Sequence, residues 1–230
     1  MAEILTTNVL WVILLTGIIP TVLWLFFWLR EDRFQPEPKG LLILTFIAGA
    51  LGTFLVLPAE QAVKALGIIG TEKIFVFAAI EEFVKFGVVF MIDFNSSYLD
   101  EPIDYAIYLI TGALGFAAAE NVLFLLEPSL QGDISFIIET GTLRFLGASI
   151  LHSVLAALLG LIIGFVFYKR RSTKIIFGAL GLGIVIILHT FFNYFITKHV
   201  EINGLLTLGI LWIVTLFIIA MFERVRRVNH

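Results

Sequence analysis

Eight residues pair side chains capable of hydrolytic chemistry with surroundings that are almost entirely apolar: Glu81, Glu82, Lys85, Glu120, Arg144, His152, His189 and Asn193. Carboxylates and imidazoles are the groups that move protons at neutral pH and that bind catalytic metals. Their spacing is helical. Glu81 and Lys85 stand at i,i+4 on one face, and Glu82 points about 100° away, toward a different neighbour. His189 and Asn193 repeat the i,i+4 relation, and Phe116 shares a face with Glu120, which Asn121 follows directly. The chain has no cysteine, which excludes thiolate nucleophiles, Cys-based metal sites and disulfides together. Ser149 and Ser153 flank His152, but their side chains leave the helix in other directions, so no Ser–His pairing is expected.

The elements that must position these groups follow from composition. Of the 230 residues, 60% are hydrophobic and 14% charged, far from the roughly 25% charged content of soluble domains. Mean hydropathy is +1.03. Several apolar runs reach the roughly 20 residues that a helix needs to cross a bilayer, and no alternating strand pattern of the outer-membrane barrel type is present. The expected fold is all-α, a polytopic transmembrane helical bundle of about seven spans, at 9–29, 41–57, 74–92, 103–126, 141–168, 175–197 and 204–222. Pro58 is expected to end the second helix, with a short amphipathic or re-entrant piece over 58–73. A short interfacial helix is expected within 127–140. The whole chain, 1–230, reads as a single integral membrane domain whose motif-bearing core is about 74–197. Met1 to Asn8 contains no Lys or Arg, so the first apolar run is expected to be a retained span and not a cleaved signal. With a net charge of −3 and no basic stripe, no nucleic-acid partner is expected.

Lys and Arg in the connections set the orientation. With the N-terminus outside and the C-terminus inside, ten of them (Arg30, Arg33, Lys39, Lys169, Arg170, Arg171, Lys174, Arg224, Arg226, Arg227) fall on the cytoplasmic side. Lys64, Lys73 and Lys198 fall outside. Such a bias orients the chain as an N-out, C-in multi-pass protein, and the cell membrane is its expected location.

Ionisable groups at bilayer depth cost roughly 2.5–3.5 kcal/mol each at a helix centre, so this set must face inward, pair or line a wet cavity. Structural glue between helices is the bland alternative. Depth separates the two. At 1.5 Å per residue from the outer ends, Glu81 lies about 11 Å deep, Glu120 about 9 Å, His152 about 14–16 Å and His189 about 12 Å. Four residues on four spans converge on one level in the outer half of the membrane. His199 and His230 fall in a loop and the tail and read as solvated.

These residues resemble a known family. Ala79-Ile80-Glu81-Glu82-Phe83-Val84-Lys85 is similar to the EExxK motif of PrsW-type intramembrane proteases, and Gly115-Phe116-Ala117-Ala118-Ala119-Glu120-Asn121 to their FxxxE motif with its trailing Asn. Asp100-Glu101-Pro102-Ile103-Asp104-Tyr105 resembles the segment leading into it. His152, and His189 with Asn193 as HxxxN, resemble the remaining motifs. The resemblance covers about 75–195. The wider CAAX prenyl-protease superfamily carries EExxxR and FxxxH instead. Lys85 one residue closer, and Glu120 in place of His, point to the PrsW branch. The resemblance implies site-1 cleavage of membrane-anchored proteins such as anti-sigma factors, within the bilayer and on the outer side of a bacterial membrane.

Two mechanisms fit the residues. In one, Glu81 or Glu82 is general base on a water that His152 also holds, while His189 and Asn193 donate to the oxyanion. In the other, Glu82 (or Glu81), Glu120 and His152 bind a divalent metal, zinc, and a remaining carboxylate is the base. HExxH is absent and the sequence leaves both open, the resemblance favouring metal. Lys85, Glu120, Asn121 and Arg144 are expected to support the site, Lys85 by neutralising Glu81 or orienting Glu120, and Arg144 by pairing with a carboxylate at the outer mouth. The competing classes are a proton-coupled membrane carrier, against which stands the lack of an internal repeat or paired broken helices, and a non-catalytic membrane scaffold of the same fold. A membrane-anchored protein substrate and the lipid bilayer are the partners expected.

Overall fold

Apolar sequence with its backbone bonds satisfied internally gives helices throughout. The computed structural model describes residues 7–30, 32, 35–129, 134–198 and 202–228. Within them lie α1 (Thr7–Leu29), α2 (Lys39–Ala65), α3 (Gly70–Ile92), α4 (Asp104–Ser129), α5 (Ile134–Leu146), α6 (Ala148–Gly164), α7 (Arg171–Lys198) and α8 (Ile202–Val228), and no strand among the described residues. Five stretches are long and apolar enough to cross a membrane: Val9–Leu29, Lys39–Ala65, Asp104–Leu126, Ile137–Gly164 and Arg171–Thr197. Leu206–Phe222 of α8 is a shorter apolar stretch. At 23 residues α3 is also about 35 Å long, but its charged residues set it apart by composition. The outward faces are studded with exposed Leu, Ile and Phe such as Leu23, Phe54, Ile187 and Phe217, the surface that lipid covers.

Two boundary expectations are corrected. Pro58 does not end α2, which runs on to Ala65. A proline inside a membrane helix removes one backbone donor, and its neighbours re-satisfy the freed carbonyl. The break comes at Gly67 and Gly70, both at positive φ (73° and 66°), so 58–73 holds the last turns of α2, a tight turn and the first turn of α3, not a re-entrant piece. The expected fifth span is two helices, with Gly147 between them at φ −119°, ψ −77°. Arg144 therefore rides on α5 and His152 on α6. His199 and His230 lie outside the described residues.

Helices α4 and α6 form the centre. Tyr108, Ile110 and Leu114 of α4 pack with Ile150, Val154 and Ala157 of α6, each fully buried. Small residues set how close the helices come. A methyl on Gly115 would sit 1.9 Å from the Phe46 carbonyl oxygen of α2, and one on Gly160 would sit 2.3 Å from the Ala106 Cα of α4. Close backbone approach of this kind is how membrane helices gain packing without a hydrophobic driving force. It brings α3, α4, α6 and α7 near enough for short polar side chains to meet.

Candidate active site

On α3 the buried side chains of Glu81, Glu82 and Lys85 face the bundle. Lys85 pairs with Glu82 at i,i+3, not with Glu81 at i,i+4, and its Nζ also lies 2.9 Å from His152 Nδ1. An ammonium has no lone pair, so His152 Nδ1 accepts. The ring's Nε2 then carries the hydrogen and donates to Glu120 Oε2 at 3.1 Å. Phe116, one turn before Glu120, lies under both groups: its ring is 5.8 Å from that of His152 and 5.2 Å from Lys85 Nζ.

His189 on α7 is 2% exposed and its Nδ1 lies 2.7 Å from Glu82 Oε1. The carboxylate assigns the hydrogen to Nδ1 and leaves the Nε2 lone pair directed toward Glu81 Oε2, 3.8 Å away. The two histidine rings meet edge to face at 5.3 Å.

At the other edge, Arg144 donates to Glu120 Oε2 (2.7 Å) and to Asn121 Oδ1 (2.6 Å). Asn121 in turn donates to Ser149 Oγ at 3.1 Å. Glu120, at 27% side-chain exposure, is the most open of the three carboxylates. Ser153 Oγ is spent on the Ile150 carbonyl, so neither serine flanking His152 is a nucleophile paired with it. Asn193 lies half-buried one turn beyond His189, and its side chain makes no hydrogen bond to the cluster among the described residues.

Three carboxylates thus face two fixed cations, and Glu81 is the one paired with neither. Its Oε2 is buried and has no hydrogen-bond partner among the described residues. One ligand atom each from Glu81, His152 and His189 lies within 4.8 Å of the others. An orphaned carboxylate oxygen beside an imidazole lone pair is the donor set a divalent metal takes. The residues therefore fit such an ion. This triad shares Glu81 and His152 with the expected set of Glu82 or Glu81, Glu120 and His152; Glu82 bonds Lys85 and His189, Glu120 bonds Arg144 and His152, and His152 itself bonds Lys85 and Glu120. Ser149 was not singled out as a partner, since a serine in a membrane helix carries no signal of its own.

A helical bundle with a buried Glu/His centre reached from four helices carries the groups that hydrolysis inside a membrane needs. The family model described as "PrsW family intramembrane metalloprotease" matches residues 37–222, and the chain belongs to that family. Every member of the cluster falls inside the match. The chain is similar to the protease PrsW of Geobacillus kaustophilus, 30% identical over 67% of this chain and 68% of that one. It is 26% identical to the protease PrsW of Oceanobacillus iheyensis over 95% of this chain and 96% of that one. It is 21% identical to that of Bacillus subtilis over 80% and 83%. No solved structure matches the chain. The chain is a membrane-embedded protease, and the carrier and scaffold readings give way to it.

Proposed function

We propose that the chain cleaves membrane-anchored proteins at a zinc centre held by Glu81, His152 and His189, in the outer half of the cell membrane. The free Glu81 Oε2 facing His189 Nε2 carries this reading. Zinc, when bound, supplies Lewis acidity toward water and the scissile carbonyl. Glu82 fixes the ring of His189 and keeps its Nε2 deprotonated, the outer-sphere role that carboxylates play for metal-binding histidines. Lys85 pairs with Glu82 and, when His152 gives up Nδ1, keeps Glu82 as its counter-ion. Glu120, the most open carboxylate, takes the proton from the attacking water, and Arg144 with Asn121 fixes its position. Asn193, whose side chain makes no hydrogen bond to the cluster among the described residues, donates to the oxyanion from α7. The outward depth of the cluster and the ten-to-three Lys/Arg bias support cleavage on the outer side, in keeping with site-1 cutting of anti-sigma-factor-like substrates.

One observation favours a second reading. Lys85 already occupies the Nδ1 lone pair of His152, a geometry suited to a metal-free site in which Glu81 is the base. Cleavage of a single-span reporter in liposomes decides. Wild type is expected to cut, Glu81→Ala and His152→Ala to be silent, and a chelator to stop wild type until zinc is restored. Cutting that persists under chelation selects the glutamate mechanism, and cutting by both variants removes the site from the reaction.

A further inference from the structure

At the end of the bundle that the Lys/Arg bias assigns to the cytoplasm, α3 and α7 enclose a cavity of about 630 Å³, within the roughly 300–1,000 Å³ range of ligand sites. One wall is aromatic. Phe86, Phe90 and Phe94 follow one another along α3 and just past its end, and Tyr105 of α4 continues the row, with successive ring centroids 6.0, 5.4 and 4.9 Å apart. The facing wall is aliphatic, from Ile163 of α6 and from Ile175, Gly178 and Leu182 of α7. A methyl on Gly178 would meet nothing nearer than Ile163 Cδ1 at 3.8 Å, so the missing side chain keeps the floor open. Phe90 and Ile175 are 45% and 63% exposed, which opens the cavity sideways to lipid.

The rim carries one sign of charge. Lys169 of the α6–α7 connection and Arg171 and Lys174 of the first turn of α7 line it, and among the described residues no carboxylate does. None of the three is paired with an Asp or Glu among the described residues. Lys174 lies over aromatic faces instead, its Nζ 4.7 Å from the Phe167 ring centre and 5.9 Å from that of Tyr105. Those contacts hold the ammonium at the mouth without neutralising it. An inorganic anion would use this rim and leave the apolar walls bare. An apolar helix would fill the walls and leave three cations unpaired. A molecule with an anionic head and an apolar tail satisfies both.

We propose that this cavity binds one phospholipid with an anionic headgroup, its phosphate held by Lys169, Arg171 and Lys174 and an acyl chain laid along the Phe86–Phe90–Phe94 wall. Basic pockets between membrane helices on the cytoplasmic side suit that ligand, and the cytoplasmic leaflet supplies it. Arg171 presents a fork that takes two phosphate oxygens at once. Gly178 precedes His189 by 11 residues, about 16 Å along α7, so the site is separate from the protease centre. The lipid bridges α3 and α7, the helices that carry Glu81, Glu82 and His189, without touching those groups.

The full chain, delipidated in mild detergent, is titrated with phosphatidylglycerol and with phosphatidylcholine of the same acyl chains, and bound lipid is counted by native mass spectrometry. Inorganic phosphate is the competitor in a parallel arm, and variants are matched to wild type in helicity by circular dichroism. Wild type is expected to hold phosphatidylglycerol at least about tenfold more tightly than phosphatidylcholine, and inorganic phosphate is expected not to displace it. Lys169→Gln with Lys174→Gln is expected to erase that preference. Arg30→Gln with Lys39→Gln removes two charges from the same end but outside the cavity, and is expected to keep it. Gly178→Leu fills the floor, leaves every cation in place and is expected to weaken both lipids severalfold. Equal affinity of wild type for the two lipids overturns the proposal, as does phosphatidylglycerol binding that the paired lysine changes or Gly178→Leu leave as it was. Displacement by inorganic phosphate also overturns it, since the rim alone would then be the site.

Discussion

His189 Nδ1 stands 2.7 Å from Glu82 Oε1, and this contact turns the other ring nitrogen toward the unpartnered oxygen of Glu81. Two adjacent glutamates therefore hold different offices, because consecutive helical residues point about 100° apart. Glu82 meets α7 and Lys85, whereas Glu81 is left open.

Replacing Glu82 by Gln keeps an acceptor for the His189 N–H but removes the charge that balances Lys85. Loss of such an outer partner typically costs 10–100-fold in metal affinity or activity. Glu82→Gln is expected to fall in that range for both, measured as zinc content after dialysis and as reporter cleavage. Unchanged zinc retention would separate Glu82 from the metal.

Arg144 bonds Glu120 and Asn121 at once through two guanidinium nitrogens, a fork that lysine lacks. Arg144→Lys is expected to fold but to lose activity at least tenfold. Arg144→Ala leaves Glu120 without its cation, at a cost of about 1–3 kcal/mol for a partly open group. Adding Glu120→Gln to Arg144→Ala should recover part of that stability. Denaturant melts of the two variants check the sign, and no recovery would mean that the pair is not the source of the loss.

Helix packing gives a contrast between two glycines. Gly115→Ala pushes a methyl against the Phe46 carbonyl at 1.9 Å, and overpacking of this kind costs about 1–3 kcal/mol. Gly183→Ala meets nothing within 4 Å and is expected to be neutral or slightly stabilising, by up to about 1 kcal/mol from helix propensity. Melting temperatures of the two variants should move in opposite directions, or at least differ by several degrees.

Asp93 caps α3, is fully buried and accepts from Thr45 Oγ1 at 2.8 and 3.0 Å. Burial pushes its carboxyl up from 3.8 to about 7, although the threonine bond pulls the other way. The folded state then holds a proton that the unfolded state releases earlier. Its contribution is full below about pH 4 and is lost as pH rises toward 7. Asp93→Asn is expected to reduce the fall in melting temperature between pH 5 and pH 8. Asp32 and Glu37, raised in the same direction, keep part of the slope. A slope identical to wild type would show that Asp93 does not titrate in this window.

The bundle was legible because apolar length alone marks a membrane helix, and the span limits given by polar punctuation come within three residues of α1 and α4, whereas α7 begins four residues earlier and α8 ends six residues later than expected. Pro58 misled, since a proline that stops a helix in water does not stop α2. The cluster of polar side chains was legible as a set, apart from Asn193, which bonds none of them among the described residues. Glu81, Glu82, Lys85, Glu120, Asn121, Arg144, His152 and His189 all meet in the bundle, because ionisable groups in a membrane have few other places to go. Partner choice within the set was not legible. Lys85 reaches Glu82 and His152, rather than Glu81, through the rotation of α3 against α6, which no periodicity reports.

Zinc content and cleavage, measured on the same preparations of wild type and Glu81→Gln, test the central claim most directly. Wild type is expected to retain about one zinc per chain and to cut a membrane-anchored reporter. Glu81→Gln, equally helical by circular dichroism, is expected to lose the zinc and the activity together. A Glu81→Gln protein that keeps its zinc, or cuts at the wild-type rate, would contradict the assignment of Glu81, His152 and His189 as the catalytic metal centre.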